Sequence, residues 1–301
     1  MFYVTGDLNI DTTTLAPVLS SSGKETQARI TMSCGGQGGN IAFFLCCLGR
    51  SVQLFATLGN DVAGDLYTQH LGLLGIEFAG ARVEVPTGMV SVVQEAGSYH
   101  MYRQRGANGA ADPAAFADFL RSGSTTSGSC LFISGYSLMN DRCATLVAST
   151  LAGRNRDNTI VTLDPASIDA MRSTGRDAIL AAASVCDYLL PNREEACWLA
   201  QDTDVEAAAR TLHRMTGANV VVKLGEQGAL LCSGDQLLRA PGIAVVALDV
   251  TGAGDSFAAA FLVALSDRAD YQTALEAAVS FSAAKVQFVG TQPSELLGWR
   301  R

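Results

Sequence analysis

Nothing in this 301-residue sequence approaches the ~18 consecutive apolar residues of a membrane span, although 48% of its residues are apolar. Lys and Arg are few, 21 against 29 Asp and Glu, and they form no run. That argues against a nucleic-acid partner and leaves the net charge of −8 as a source of solubility. The eight cysteines contain no C-x-x-C pair, so neither a zinc site nor a dithiol redox motif is suggested. They read as small apolar core groups in a reducing compartment. Met1 to Gly6 lacks a basic region followed by a long apolar stretch, so no signal peptide is expected and the cytoplasm is the expected location. No G-x-x-x-x-G-K-[ST] occurs, which excludes a Walker-type ATPase. Gly36-x-Gly38 fails as a dinucleotide fingerprint, because Ile41 stands at its third position.

What is present is a rhythm. Phe2–Leu8 reads as a buried strand, and a polar stretch follows to about Gln27. Helix 39–48, strand 52–58 and helix 63–74 come next. Residues 88–105 alternate in polarity around Ala96-Gly97, the pattern of a hairpin with one open face. From about Pro113 helices and short β-rich strands take turns, with strands at 130–134, 159–164, 188–190 and 219–224. This alternation predicts a parallel sheet covered by helices on both faces. A further strand is expected at Ala244–Leu248, before two long closing helices at 255–266 and 271–288. The expected architecture is one α/β domain over 1–301, mostly parallel, with a small β lid drawn from about 12–33 and 84–106.

The segment most loaded with chemistry is Asp249-Val250-Thr251-Gly252-Ala253-Gly254-Asp255-Ser256-Phe257. Gly252, Ala253 and Gly254 carry almost no side chain and open an apolar helix. Unpaired N–H groups and the helix dipole make such a place an anion site. Asp255 would face the same anion. A carboxylate beside a phosphate calls for a chemical reason. Asp255 can accept the proton of an attacking hydroxyl while the amides hold the charge of a transferred phosphoryl group.

These residues, taken with others in order, resemble the ribokinase-like, or PfkB, carbohydrate kinases. The likeness runs over nearly the whole chain. Gly6-Asp7-Leu8-Asn9-Ile10-Asp11 resembles the family's substrate-binding strand end, and Gly35-Gly36-Gln37-Gly38-Gly39-Asn40 its first signature. Leu58 to Gly64 resembles the G-x-D-x-x-G that follows, and Asn192-Arg193-Glu194-Glu195 the N-x-x-E motif. Lys223 to Gly228 resembles the nucleotide loop, and Asp249 to Asp255 the second signature.

The resemblance implies a kinase that uses ATP and Mg²⁺. Asp255 would be the general base, with Gly252, Ala253 and Gly254 as the anion hole. Asn9, Asp11, Gly35, Gly36, Gln37, Asn40 and Arg103 would hold a small sugar or sugar acid. Asn192, Glu195, Lys223, Gly225 and Gly228 would line the nucleotide, with Glu195 reaching Mg²⁺ through water. Asp249, Thr251, Gly290 and Ser294 would hold a monovalent cation such as K⁺. A homodimer joined through the lids is expected, since relatives often pair their flaps.

Some positions depart from well-known relatives. Gln37 stands where ribokinases usually carry Lys. Tyr102-Arg103-Gln104-Arg105 resembles kinases of acidic sugars, yet Asp164-Pro165-Ala166-Ser167 lacks the arginine those kinases usually add. The substrate stays open among ketohexoses, pentoses, 2-keto-3-deoxygluconate-type acids and nucleosides. A non-catalytic sensing protein on the same fold is the reading from another class.

Overall fold

The computed structural model describes residues 1–16, 25–95, 98–140 and 142–299, so the turn expected at Ala96-Gly97 lies outside the described residues. In chain order the strands are β1 (Phe2–Thr5), β2 (Asn9–Ala16), β3 (Arg29–Gly35), β4 (Val52–Phe55), β5 (Thr57–Gly59), β6 (Glu77–Phe78), β7 (Ala81–Val83), β8 (Gly88–Glu95) and β9 (Ser98–Gln104). They continue with β10 (Ser129–Ser134), β11 (Thr159–Asp164), β12 (Tyr188–Leu189), β13 (Asn219–Lys223), β14 (Ala229–Ser233) and β15 (Gln236–Ala240).

Nine of them form the central sheet in the order β15-β14-β13-β12-β11-β10-β1-β4-β6. From β13 to β6 the pairing is parallel, and β14 and β15 close one edge as an antiparallel hairpin. The parallel strands are apolar on both faces, as a doubly covered sheet requires: all six residues of β10 are buried. One core packs the helices Gln37–Cys47, Ala253–Ser266 and Tyr271–Lys285 on the sheet through Phe43, Phe44, Phe261 and Phe281. The other packs the helices between Pro113 and Thr216 through Phe116, Leu120, Val147, Ile179 and Leu212. The helix Ala253–Ser266 is buried nearly all round, from Ser256 to Leu265.

A second sheet, ordered β3-β2-β8-β9, stands apart from the first. The register pairs Asp11 with Ser33 and with Val90, and Val90 with Arg103. Cross-strand partners share a face, so Asn9, Asp11 and Arg103 look one way. Ile30, Met32 and Tyr102 look the other way and are more than 60% exposed.

The expected strand at Ala244–Leu248 is not formed; residues 241–248 run without regular structure. An apolar run reads as strand when a partner edge awaits it. Here the neighbouring edge is already held by the hairpin of β14 and β15, a stretch to which the sequence reading assigned no strand. The run's Ile243, Ala244 and Val245 line a cavity instead.

Candidate active site

Ligand sites in parallel α/β sheets gather at the carboxyl ends of the strands. Here β1 runs out into Gly6-Asp7, β10 into Ser134, β11 ends on Asp164 and β13 on Lys223. The side chains of the last two meet: Lys223 Nζ lies 2.5 Å from Asp164 Oδ2. Beside them Asn192 caps the helix Arg193–Ala200. Glu195 N–H donates to Asn192 Oδ1 at 2.9 Å, and Asn192 N–H and Nδ2 donate back to Glu195 at 2.8 and 2.7 Å. This is a reciprocal capping box. It also buries Glu195 to 3% exposure, where a surface charge would be the plain expectation. Burial, opposed by Lys223 and reinforced by Asp164, pushes the Glu195 carboxyl up to about 7. Burial disfavours the Lys223 ammonium, but Asp164 and Glu195 outweigh it and raise the lysine above its ordinary value.

The glycine turn that starts the helix Ala253–Ser266 lies next to this lysine. Gly252 has φ 79°, the left-handed region, and no side chain caps the helix. A Cβ on Gly254 would stand 3.6 Å from Lys223 Nζ. The Ala253 N–H is already given to Val250 O at 3.1 Å. The N–H groups of Gly252, Gly254 and Asp255 have no acceptor among the described residues. Positive helix terminus, free amides and lysine together make a place for phosphate. A cavity of about 780 Å³ opens from it, lined by Lys223, Gly225, Gly228, Gly254, Phe257 and Val279 among others. Its mainly apolar wall suits a flat heterocycle.

Asp255 sits at the junction between this cavity and the second sheet. Asn40 Nδ2 donates to its Oδ2 at 2.8 Å. Burial pushes its carboxyl from 3.8 up to about 6, against the hydrogen bond from Asn40 and the charge of Lys223. The orientation of Asn40 is itself determined. Its Oδ1 accepts from Gln292 Nε2 at 3.1 Å, so its NH₂ must face Asp255. Gln292 in turn meets His70 Nε2 at 2.7 Å. Across the site Asp11 is pushed up to about 7, by burial first and then by the charge of Asp255. Its Oδ1 is buried and accepts from no described protein group. A Cβ on Gly35 would stand 2.0 Å from Asp11 Oδ2, so the bare glycine is what lets the Asp11 carboxylate keep its place. Gly36, at φ 87°, starts the helix that carries Gln37 and Asn40. Gln37 accepts from Ser134 Oγ and also hydrogen-bonds Asp255. Asn9 is held by Asn108 Nδ2 at 2.9 Å.

The arginines divide. Arg105 donates to Tyr136 O at 3.0 Å and lies 3.8 Å from Asp7 Oδ1. Arg103 lies over the Tyr136 ring, 4.8 Å from its centre. Burial raises Asp7 to about 6, with Arg105 and Arg103 opposing the shift. Asp7, Asp164, Asn108 and Gln292 therefore belong to the site, although the sequence reading gave them no role in it. A signal existed for both acids, since Asp164 ends a predicted strand and Asp7 belongs to the stretch Gly6–Asp11. Gln292 lies between Gly290 and Ser294, the stretch singled out for a cation, but its own role beside Asn40 was not read.

Among the described residues no three His, Cys, Asp or Glu side chains come close enough to hold a metal ion. A divalent cation that arrives on a nucleotide and keeps its waters fits Asp164 and Glu195 nonetheless. The oxygen atoms expected to hold K⁺ do not fit that ion. The main-chain oxygens of Asp249 and Thr251 both accept from Lys285 Nζ, the first at 3.0 Å. The Asp249 carboxylate accepts from the N–H groups of Thr251 and Gly290, each at 2.9 Å. Ser294 Oγ is turned to Glu295.

Comparison with known proteins agrees with this geometry. The sequence pattern of the pfkB family carbohydrate kinases matches residues 2–296. The deoxyribokinase of Salmonella typhi is 27% identical over 97% of this chain and 94% of its own length. The nucleoside kinase of Methanothermobacter thermautotrophicus is 27% identical over 86% of this chain and 80% of its own. The crystal structure of ribokinase from Thermotoga maritima superposes with a TM-score of 0.82 at 27% identity, covering 97% of this chain and 94% of that one.

Proposed function

As this chain belongs to the pfkB family of carbohydrate kinases, we propose that it moves the terminal phosphoryl group of ATP to a hydroxyl of a small sugar or sugar acid, with Asp255 as general base. The observation that carries this reading is the place of Asp255. Its carboxyl lies between free helix-terminal amides with Lys223 on one side and the hydroxyl-binding set Asn9, Asp11, Gln37 and Asn40 on the other. Asn40 holds the carboxylate, which takes the proton as the alcohol oxygen attacks phosphorus. The amides of Gly252, Gly254 and Asp255, with Lys223, meet the charge on the migrating group. Asp164 pairs with Lys223, and Glu195, held by Asn192, lies beside them, where a Mg²⁺ carried by the nucleotide would screen the phosphates. Two of the oxygens expected to hold K⁺, the main-chain oxygens of Asp249 and Thr251, accept from Lys285, and no step proposed here uses that ion.

The acceptor favoured is a neutral sugar. Arg105 is spent on Asp7 and Tyr136, and although Arg103 keeps N–H donors while its face lies on Tyr136, the carboxyls of Asp7, Asp11 and Asp255 oppose a further carboxylate here. The buried, unpartnered Asp11 Oδ1 suits a sugar hydroxyl as donor. A screen of ADP release over pentoses, deoxypentoses, ketohexoses, sugar acids and nucleosides tests this. Turnover with a neutral sugar is expected. Turnover confined to a sugar acid or a nucleoside would reverse the preference, and none on any would defeat the kinase reading. The second sheet is read as a lid, and its outer residues Ile30, Met32 and Tyr102 as the surface of a homodimer.

A further inference from the structure

Lys285 is the one lysine of the core that this mechanism leaves without a role. It closes the helix Tyr271–Lys285 and is wholly buried. An amino group is rarely buried unless something holds its charge. Here it points at a ring of oxygens. Nζ donates to the main-chain oxygens of Asp249 and Thr251. The carboxylates of Asp249 and Asp255 supply the attraction that opposes its desolvation. Its Cε would lie 3.8 Å from a Cβ on Gly252, so the ammonium backs directly onto the turn whose amides form the anion site. Asp249 ties the same turn to the far segment through the Gly290 N–H. An external monovalent cation would have to share two of its oxygens with a charge that is covalently fixed. Like charges in so small a space exclude each other.

We propose that the Lys285 ammonium is the resident cation of the 249–254 turn. It is a positioning residue that holds the anion-binding amides in place, and it makes the protein indifferent to K⁺. The inference rests on the kinase reading for its consequence in turnover, but its structural half does not. Two measurements separate them. First, the melting temperature of the ligand-free protein is recorded in K⁺, Na⁺ or tetramethylammonium chloride at equal ionic strength. The three curves are expected to coincide. Stabilisation specific to K⁺ would overturn the proposal whether or not the protein transfers phosphate. Second, turnover on the acceptor found by screening is measured in the same salts for the wild type, Lys285→Met and Lys285→Arg. The wild type is expected to vary less than twofold among salts. Lys285→Met is expected to lose kcat by about 10², the effect of misplacing a reacting geometry by roughly 1 Å, with the KM for sugar unchanged. Lys285→Arg is expected to recover part of the loss, since it restores a charged donor. Wild-type turnover that needs K⁺, or a Lys285→Met variant as fast as wild type, would overturn the assignment. Should Lys285→Met fail to fold, the wild-type salt series decides alone.

Discussion

Asp255→Asn replaces one carboxylate oxygen by an amide and leaves the volume of the side chain almost unchanged. Asn40 Nδ2 can still donate to the remaining oxygen, as it does now at 2.8 Å. Two consequences of opposite sign follow. Turnover loses its proton acceptor and is expected to fall by ~10²–10⁴, the usual worth of a positioned base. Stability is expected to rise at neutral pH. Burial lifts the folded-state pKa of Asp255 from 3.8 to about 6. A carboxyl raised in this way favours folding fully below its unfolded pKa, and the benefit is lost as pH climbs through about 6. Two units correspond to about 3 kcal/mol, and partial exposure of the group to the cleft cuts this to ~1–2 kcal/mol. The variant should therefore be the more stable protein at pH 8, with the advantage shrinking toward pH 4.5. In the wild type kcat/KM should rise with pH to a plateau above about 6, and Asp255→Asn should lack that limb. ADP release from pH 5 to 9 and urea titrations at pH 4.5 and 8 read both. Turnover within tenfold of wild type, or a variant clearly less stable at pH 8, would refute the reasoning.

Lys223→Met leaves Asp164 and Glu195 buried without their cation. It should cost about 3 kcal/mol at pH 8, less at pH 5 where Glu195 takes up a proton, and it should raise the KM for ATP at least tenfold; denaturation at the two pH values and initial rates check it. Gly35→Ala puts a Cβ 2.0 Å from Asp11 Oδ2, and the side chain rather than the backbone yields. The expected result is a near-normal melting temperature with a sugar KM raised by roughly 10–100-fold, the worth of one hydrogen bond to a charged group. Ile30→Glu places a charge on the outer face of the second sheet, where Ile30 is 68% exposed. Sedimentation should show dimer for the wild type and monomer for the variant, with an unchanged melting profile for the isolated chain.

The parallel sheet was readable because its signal is local and repeated. Each strand from β10 to β13 is a short apolar run followed or preceded by a helix, and doubly buried strands need little else. The failure at Ala244–Leu248 has the opposite cause. Val246 and Leu248 are exposed while Ala244, Val245 and Ala247 line the cavity, so a run as apolar as a core strand is divided between solvent and cleft. Composition alone does not distinguish burial under a helix from burial under a ligand. β14 and β15 went unread because the sequence reading assigned no element between Leu224 and Ala244; the turn at Gly234 is what divides them.

At the site, residues that act through their own backbone or a neighbour were visible, and residues that act across the fold were not. The turn Gly252–Asp255 and the box Asn192–Glu195 are contiguous, so spacing reveals them. Asn40 lies 215 positions from the carboxylate it holds, and Gln292 lies 252 positions from Asn40. No periodicity links such residues; only the packing of the helix Gln37–Cys47 against the helix Ala253–Ser266 does. The consequence is chemical. An asparagine has two ends, and beside a base only the NH₂ end is useful, because the oxygen would repel a carboxylate. Gln292 settles which end Asp255 meets by occupying the other, and His70 holds Gln292 by its own oxygen. The orientation of the group that holds the base thus depends on a relay of residues that no sequence spacing connects.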